Sequence, residues 1–331
     1  MTRRRTHWGA PLAMCLLAGA LSGCGGGDDS PPSATRPYGV GIRTETFVDS
    51  SRPTDAKGGE PAKMTRTLAT SFFYPTSPSG GPEPKEGAAA ATREGGFPLV
   101  VFAPGNGSSP AFYAVLLQAW ASAGYVVAAP TFPLSSTMLP GAGADYVNQP
   151  GDISFIISEV LRLSSDTATP YAHLVDDKRI GVAGHSLGGM TVLGVAFNSC
   201  CTDERIKAGV VLAGAERPFP DGEFFAGPHP PLLVVHGAAD PSVPYAAGEK
   251  VFSDASPPKL LLTVRPSEVP GTDHNQPYAG TEGRVLPATR IVIETTVGFF
   301  DRYLFHRRDA LDILRKTAGE DVGADLRVVE K

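Results

Sequence analysis

Short apolar runs alternate along this sequence with longer segments of helical periodicity, and this alternation constrains the fold more than any other feature. The run Phe97–Ala103 (FPLVVFA) is apolar throughout, which is typical of a strand buried on both faces. Residues 151–163 (GDISFIISEVLRL) place their isoleucines at helical spacing shortly after Asp152. The alternation predicts an α/β fold, namely a mainly parallel, doubly wound sheet with helices on both faces. We predict further strands at residues 38–48, 66–74, 125–129, 179–184, 208–212, 232–236 and 260–264, and further helices at residues 111–123, 287–305 and from Ser186 to about 197.

The first 37 residues have the pattern of an export signal followed by a tether. Three arginines, Arg3 to Arg5, precede an apolar run at residues 10–21, which is shorter than the roughly 20 residues of a membrane-spanning helix. The sequence Leu21-Ser22-Gly23-Cys24 resembles a bacterial lipobox, in which the cysteine is acylated after cleavage. An ordinary signal peptide with an incidental cysteine is the alternative. We predict a signal peptide at residues 1–23, a lipid on Cys24 that anchors an exported bacterial protein to a membrane of the cell envelope, and a flexible tether at residues 24–37.

Charge and cysteine content exclude several classes of protein. The formal net charge of -5 leaves no basic surplus to neutralise phosphates, which argues against a nucleic-acid partner. Four cysteines in 331 residues are too few for a disulfide scaffold. With Cys24 acylated and the signal peptide removed, Cys200 and Cys201 remain, and we expect two buried thiols because adjacent cysteines close only a strained ring. No pattern indicates a metal site or another cofactor, and no obligate protein partner is evident.

The motif Gly184-His185-Ser186-Leu187-Gly188-Gly189 carries the strongest chemical signal. It follows a predicted strand and precedes a predicted helix, as a G-x-S-x-G turn requires if it is to expose a nucleophilic serine. Glycines on both sides of the serine leave room for the helix to cross the strand. A plain glycine-rich turn is the alternative, so the motif has to be judged by whether the chain also supplies a base and an acid.

Such a serine needs a histidine base oriented by an acid, and these follow the serine in the order acid, then histidine. Asp240 lies just beyond the predicted strand at 232–236, and His274 lies on the loop after the next predicted strand. Ser186, Asp240 and His274 are therefore the predicted catalytic triad. Glu216, which also follows a predicted strand, is the second choice for the acid.

An anionic intermediate formed at Ser186 would need two hydrogen-bond donors. The backbone N–H of Leu187, directly after the serine, is the first predicted donor. The second is the backbone N–H of Asn106, because the glycines that flank it in the loop after the first long buried strand allow a close approach to a ligand.

These residues resemble the α/β-hydrolase superfamily, and more closely its branch of dienelactone-hydrolase-like and platelet-activating-factor-acetylhydrolase-like enzymes, to which cutinase-type polyester hydrolases are related. The resemblance covers residues 38–305 and rests on Phe73-Tyr74-Pro75, Pro104-Gly105, Gly184–Gly189 and His236–Asp240. It implies a catalytic domain at residues 38–308, followed by a charged C-terminal extension at 309–331. The connection after the predicted strand at 208–212 is too short for a cap domain. We expect an open cleft, with Phe132 in the substrate-binding wall together with Met138 and Tyr146.

The resemblance and the triad together predict a serine carboxylic-ester hydrolase of the carboxylesterase, lipase or cutinase type that works through an acyl-enzyme intermediate. An open cleft suits acyl esters or polyester-like substrates. The alternatives are an acyltransferase or a peptidase on the same triad, or a surface binding protein without catalytic activity.

Overall fold

One mixed β-sheet organises the computed structural model, which describes residues 38–57, 59–78, 83–136, 141–265, 273–279, 285–317 and 323–331. The predicted signal peptide, the tether, Cys24 and Met138 lie outside the described residues. The ten strands of the described chain are β1 (Gly39–Asp49), β2 (Arg66–Thr76), β3 (Lys85–Glu86), β4 (Phe97–Ala103), β5 (Val126–Thr131), β6 (Val175–His185), β7 (Ile206–Leu212), β8 (Leu232–Gly237), β9 (Lys259–Val264) and β10 (Ala324–Val329).

The strand order across the sheet is β10-β9-β8-β7-β6-β4-β5-β2-β1-β3. From β5 to β9 every neighbouring pair is parallel. The β1–β2, β2–β5 and β9–β10 pairs are antiparallel. The predicted α/β fold with a mainly parallel sheet is therefore confirmed, and the predicted strand at 97–103 coincides with β4.

Helices cover both faces of the sheet, because side chains of the central strands are apolar in both directions. In β4, Val100 and Phe102 belong to the core on one face, while Leu99 and Val101 belong to the core on the other. Burying a side chain of this size contributes about 1.5–3 kcal/mol. The helices are α1 (Ala114–Ser122), α2 (Gln149–Ser165), α3 (Leu187–Phe197), α4 (Tyr245–Asp254), α5 (Gln276–Ala279), α6 (Pro287–Tyr303) and α7 (Ala310–Thr317), with 3₁₀ helices at Pro110–Tyr113 and Ala142–Val147.

Different helices fill the two cores. Side chains of α1, α6 and α7 fill the first, where the rings of Trp120 and Phe300 meet edge to face at 5.6 Å. Side chains of α2, α3 and α4 fill the second. In the described part of the chain, no helix is both long and apolar enough to cross a membrane.

The described parts of the predicted charged C-terminal extension, residues 309–317 and 323–331, pack against the sheet and its helices. Leu311 and Leu314 of α7 are buried in the first core, and β10 pairs with β9 along its whole length. The sequence conceals this strand because it lies at the sheet edge, where charged side chains alternate with apolar ones. One of them, Arg327, bonds to Glu249 of α4 at 3.0 Å.

A buried set of ionic groups joins β2 to the helices that follow β5. The Arg66 guanidinium, with no exposed surface, bonds to Asp152 of α2 and to Asp145 of the second 3₁₀ helix. Burial raises the pKa of Asp152, although the ion pair with Arg66 favours its charged form. These bonds hold the segment that leads into α2 against β2.

The segment between β7 and β8 adds no cap over the sheet. Residues 213–231 contain no helix, and they fold back onto the end of α3, where the Phe225 N–H donates to the Phe197 carbonyl at 2.8 Å. Beside this contact, Cys200 and Cys201 are joined by a disulfide bond, so the prediction of two buried thiols was wrong. Both cysteines are only partly buried, next to Phe224.

Candidate active site

Ser186 occupies a strained turn between β6 and α3. Its φ of 55° lies in the left-handed region, which a non-glycine residue adopts only when the surrounding structure holds it there. A Cβ atom on Gly188 would overlap the Ala103 carbonyl, and one on Gly184 would overlap the Gly188 carbonyl. The two glycines thus let α3 cross close to β4 and β6, and the serine side chain stands at the carboxyl ends of the parallel strands.

The three residues of the predicted triad lie in one line of hydrogen bonds. The Ser186 Oγ is 2.9 Å from Nε2 of His274, and Nδ1 of His274 is 2.7 Å from Oδ2 of Asp240. The His274 side chain is 11% exposed and the Asp240 side chain 1% exposed, so the base reaches the surface while the acid does not. Asp240 follows β8 and His274 lies beyond β9, so adjacent parallel strands bring together residues that are distant in sequence.

Asp240 is held as a carboxylate despite its burial. Burial opposes ionisation, but hydrogen bonds from the His274 ring and from the N–H groups of Val243 and Ser242 outweigh it and lower the pKa of Asp240. A carboxylate at this position requires the proton on Nδ1 of His274, which leaves Nε2 free to accept the proton of Ser186.

His236 supports the loop that carries the acid. It is fully buried, burial lowers the pKa of its imidazole, and its Nε2–H donates to the Val243 carbonyl at 2.9 Å. Its Nε2 also lies 3.7 Å from Oδ2 of Asp240. The neutral ring therefore fixes the turn in which the Val243 N–H bonds to the acid.

The two predicted oxyanion donors lie where the helix and the loop after β4 present them. Leu187 is the first residue of α3, so its N–H has no partner within the helix. In the loop after β4, the Gly105 N–H donates to the Tyr113 hydroxyl and the Gly107 N–H donates to the Ser135 carbonyl. Pro104 has no N–H. The backbone N–H of Asn106 is therefore the one N–H group of residues 104–107 that has no acceptor among the described residues.

Phe132 does not form a wall of the site. It is 1% exposed and packs in the core beneath α2 and α3. The reason is the period of the strand: Val126 and Ala128 of β5 face this core, and Phe132, six residues after Val126, continues the same face. The prediction of Phe132 as a substrate-binding residue was therefore wrong.

Two further candidates, Glu216 and Tyr146, make contacts with residues outside the triad. Glu216, the second choice for the acid, pairs with Lys250 of α4 at 2.7 Å and makes no contact with His274. Tyr146 is buried against Phe219 and Leu187, and its hydroxyl donates to the Pro218 carbonyl.

Sequence reasoning missed two residues beside the site, Tyr113 and His185. The Tyr113 hydroxyl is 2.8 Å from Nδ1 of His185, whose Nε2 is 2.7 Å from the His274 carbonyl. His185 precedes the nucleophile in the motif, which was a signal of its proximity, whereas no pattern singles out Tyr113.

Among the described residues, no group of three or more His, Cys, Asp or Glu side chains is arranged to hold a metal ion. The expectation that the protein needs no metal or other cofactor stays a prediction.

The sheet has the strand order and direction of the α/β-hydrolase fold, and Ser186 lies at its strand-to-helix turn, hydrogen-bonded in one set with His274 and Asp240. The family model described as chlorophyllase matches residues 76–213, which include Ser186 but neither Asp240 nor His274. The chain is similar in structure to a ferulic acid esterase from Streptomyces cinnamoneus, with a TM-score of 0.60 and 24% identity over 90% of this chain and 98% of that chain.

Curated relatives match a shorter part of the sequence. A probable 1-alkyl-2-acetylglycerophosphocholine esterase of Arthroderma benhamiae is 29% identical over 127 residues, which are 36% of this chain and 32% of that protein. An uncharacterized protein of Mycobacterium tuberculosis is 30% identical over 146 residues, which are 37% of this chain and 48% of that protein. The matches thus span 32% and 48% of the length of these relatives. The likeness to the solved structure shows the α/β fold of the chain.

Proposed function

We propose that the protein is a serine carboxylic-ester hydrolase that works through an acyl-enzyme. The observation that carries this proposal is the line of hydrogen bonds from the Ser186 Oγ through His274 to Asp240, at 2.9 and 2.7 Å. His274 Nε2 takes the proton of Ser186 while the Oγ attacks the ester carbonyl, and the protonated imidazole then gives that proton to the leaving alcohol. In the second half, His274 deprotonates a water molecule that attacks the acyl-enzyme, and the protonated imidazole then returns this proton to the Ser186 Oγ as its bond to the acyl group breaks and the acid is released.

The N–H groups of Leu187 and Asn106 are proposed to stabilise the anionic oxygen of each tetrahedral intermediate. The backbone N–H of Asn106, which has no acceptor in the described part of the chain, and the position of Leu187 at the positive end of α3 support this assignment. Each donor of this kind is worth on the order of 3 kcal/mol of transition-state stabilisation. Asp240 keeps the His274 ring in the tautomer that both halves of the reaction need.

An ester with an exposed or bulky group is the proposed substrate, including acyl esters and polyester-like chains. The absence of a helix from residues 213–231 supports an open cleft. A pocket of about 330 Å³ lies between this segment and α4, and Phe219 links its lining to the cluster that contains Leu187. The names of the relatives add two groups to a substrate panel, an acetylated phosphocholine lipid and a ferulic acid ester.

We further propose that the protein is exported and attached to a membrane of the cell envelope by a lipid on Cys24. The lipobox-like sequence at residues 21–24 supports the anchor, and the disulfide between Cys200 and Cys201 fits an oxidising compartment outside the cytoplasm. A Cys24→Ala variant should leave the membrane fraction of the producing bacterium. If that variant stays as firmly bound as the natural protein, the lipid anchor is refuted.

Hydrolysis of p-nitrophenyl esters from acetate to palmitate, together with methyl ferulate and an acetylated phosphocholine lipid, tests the activity. The natural protein should hydrolyse at least one of these esters, Ser186→Ala should abolish the rate, and Ser158→Ala, at an exposed serine of α2, should leave it unchanged. A fluorophosphonate probe should label Ser186. Hydrolysis that survives Ser186→Ala would refute the assignment, while labelling without hydrolysis would favour an acyltransferase or peptidase, and no labelling would favour a binding protein.

A further inference from the structure

A buried chain of hydrogen bonds, which the proposed mechanism does not use, ends on the backbone of the catalytic base. The Gly105 N–H bonds to the Tyr113 hydroxyl at 3.1 Å, this hydroxyl lies 2.8 Å from Nδ1 of His185, and Nε2 of His185 lies 2.7 Å from the His274 carbonyl. Tyr113 and His185 are each 1% exposed. Water therefore competes little for these bonds.

The end groups fix the direction of every bond in this chain. The His274 carbonyl can only accept, so Nε2 of His185 carries a proton and donates it. Burial, and the neighbouring His274 ring, lower the pKa of His185 to about 3, so the imidazole is neutral at neutral pH and its Nδ1 accepts from the Tyr113 hydroxyl. The tyrosine oxygen in turn accepts from the Gly105 N–H. Donors that point the same way polarise and strengthen one another.

These hydrogen bonds join the three segments whose relative positions the proposed reaction depends on. Gly105 precedes the oxyanion donor Asn106, His185 precedes the nucleophile Ser186, and the last acceptor belongs to the base itself. The His185 ring also packs against the His274 ring at 4.7 Å, so contact and hydrogen bond act on the same residue.

We propose that Tyr113 and His185 are positioning residues that hold the His274 ring against Ser186 and hold the Asn106 N–H toward the oxyanion. This inference rests on the proposed function and adds two residues to its site. Both residues are buried and offer almost no surface to a substrate, so we expect them to act on the chemical step and leave substrate binding unaltered.

Three variants test the individual groups of this series of hydrogen bonds. Tyr113→Phe removes only the hydroxyl, His185→Leu removes both ring nitrogens, and His185→Gln keeps a donor for the His274 carbonyl. We expect kcat to fall about tenfold in Tyr113→Phe and further in His185→Leu, with partial recovery in His185→Gln. KM should stay within about twofold in all three.

Tyr125→Phe is the matched control for a merely structural role. The Tyr125 hydroxyl is fully buried and donates to Asp301 at 2.6 Å. Tyr125 directly precedes β5, so it lies at the amino-terminal ends of the parallel strands, opposite the carboxyl ends that carry the site. Loss of the Tyr125 hydroxyl should lower the free energy of unfolding, as loss of the Tyr113 hydroxyl should, but it should leave kcat unchanged. Urea unfolding of both variants, beside their kinetics, makes that comparison.

The rate of phosphonylation of Ser186 by a fluorophosphonate gives a second readout that does not depend on the choice of ester. It should fall in Tyr113→Phe and not in Tyr125→Phe. Equal phosphonylation rates and equal kcat in Tyr113→Phe and the natural protein would overturn the positioning role and leave the esterase proposal intact. A natural protein that neither reacts with the probe nor hydrolyses an ester would overturn both.

Discussion

Acidification from pH 7 to pH 5 should weaken the folded state through His185, which is buried beside the base. The pKa of this imidazole falls from an ordinary value of 6.5 to about 3, because burial removes its charged form from water and His274 lies against it. The unfolded chain takes up a proton at this residue near pH 6.5, whereas the folded chain does so only near pH 3. Between these values the unfolded state binds more protons, so the free energy of unfolding decreases as the pH falls.

The size of this effect follows from the difference between the two pKa values. Each pH unit below 6.5 costs about 1.4 kcal/mol, so His185 alone removes about 2 kcal/mol between pH 7 and pH 5. Any folded-state pKa at or below about 4 gives the same loss, because the folded imidazole is then neutral at pH 5. His236, whose pKa burial also lowers, acts in the same direction.

Urea unfolding at pH 7 and pH 5, for the natural protein and for His185→Gln, isolates this contribution. Glutamine does not titrate, and His236 is present in both proteins, so its effect cancels in the comparison. The natural protein should lose about 2 kcal/mol more than the variant when the pH falls. Equal losses in the two proteins would mean that His185 is protonated in the folded state at pH 5, which would contradict the burial argument.

Three further predictions concern the acid, the buried ionic set and the nucleophile turn. Asp240→Asn should lower kcat by about 10⁴-fold with little change in fold, since an amide stabilises the wrong tautomer of the base; ester hydrolysis and circular dichroism measure the two effects. Arg66→Met should cost about 3–5 kcal/mol in urea unfolding, because it removes the guanidinium that the buried Asp145 and Asp152 carboxylates share. Gly188→Ala should cost about 1–3 kcal/mol in the same assay and reduce kcat, because the new methyl group overlaps the Ala103 carbonyl; a variant with unchanged kcat would contradict the close packing of this turn.

Parallel strands and the residues that follow them could be predicted because both depend on local patterns. The run Phe97–Ala103 is apolar in every position, and the structure places β4 at the same residues. Ser186, Asp240 and His274 each come soon after such a run. In a parallel sheet, the carboxyl ends of all strands lie at the same end of the sheet. The triad geometry thus follows from strand order and direction, which the alternation of strand and helix restricts.

Features that depend on packing between distant segments could not be predicted in this way. Phe132 belongs to a loop in the sequence, but the face of β5 continues into it and buries its ring. Nothing near Tyr113 indicates that its hydroxyl will meet His185, because the bond depends on how α1 and its leading turn pack against β6. The edge strand β10 lacks a continuous apolar run, since Asp325 and Arg327 alternate with the apolar residues that contact the first core.

Residues 88 positions apart in the chain meet at the Ser186–His274 hydrogen bond, and this separation has a kinetic consequence. The bond can form only after β6, β7, β8 and β9 have aligned, and such non-local pairings arise late because the chain must first lose the entropy of long loops. During refolding from urea, helical circular dichroism should therefore return before reactivity toward a fluorophosphonate. Labelling of Ser186, the proposed nucleophile, should therefore report completion of the parallel sheet in a single reaction.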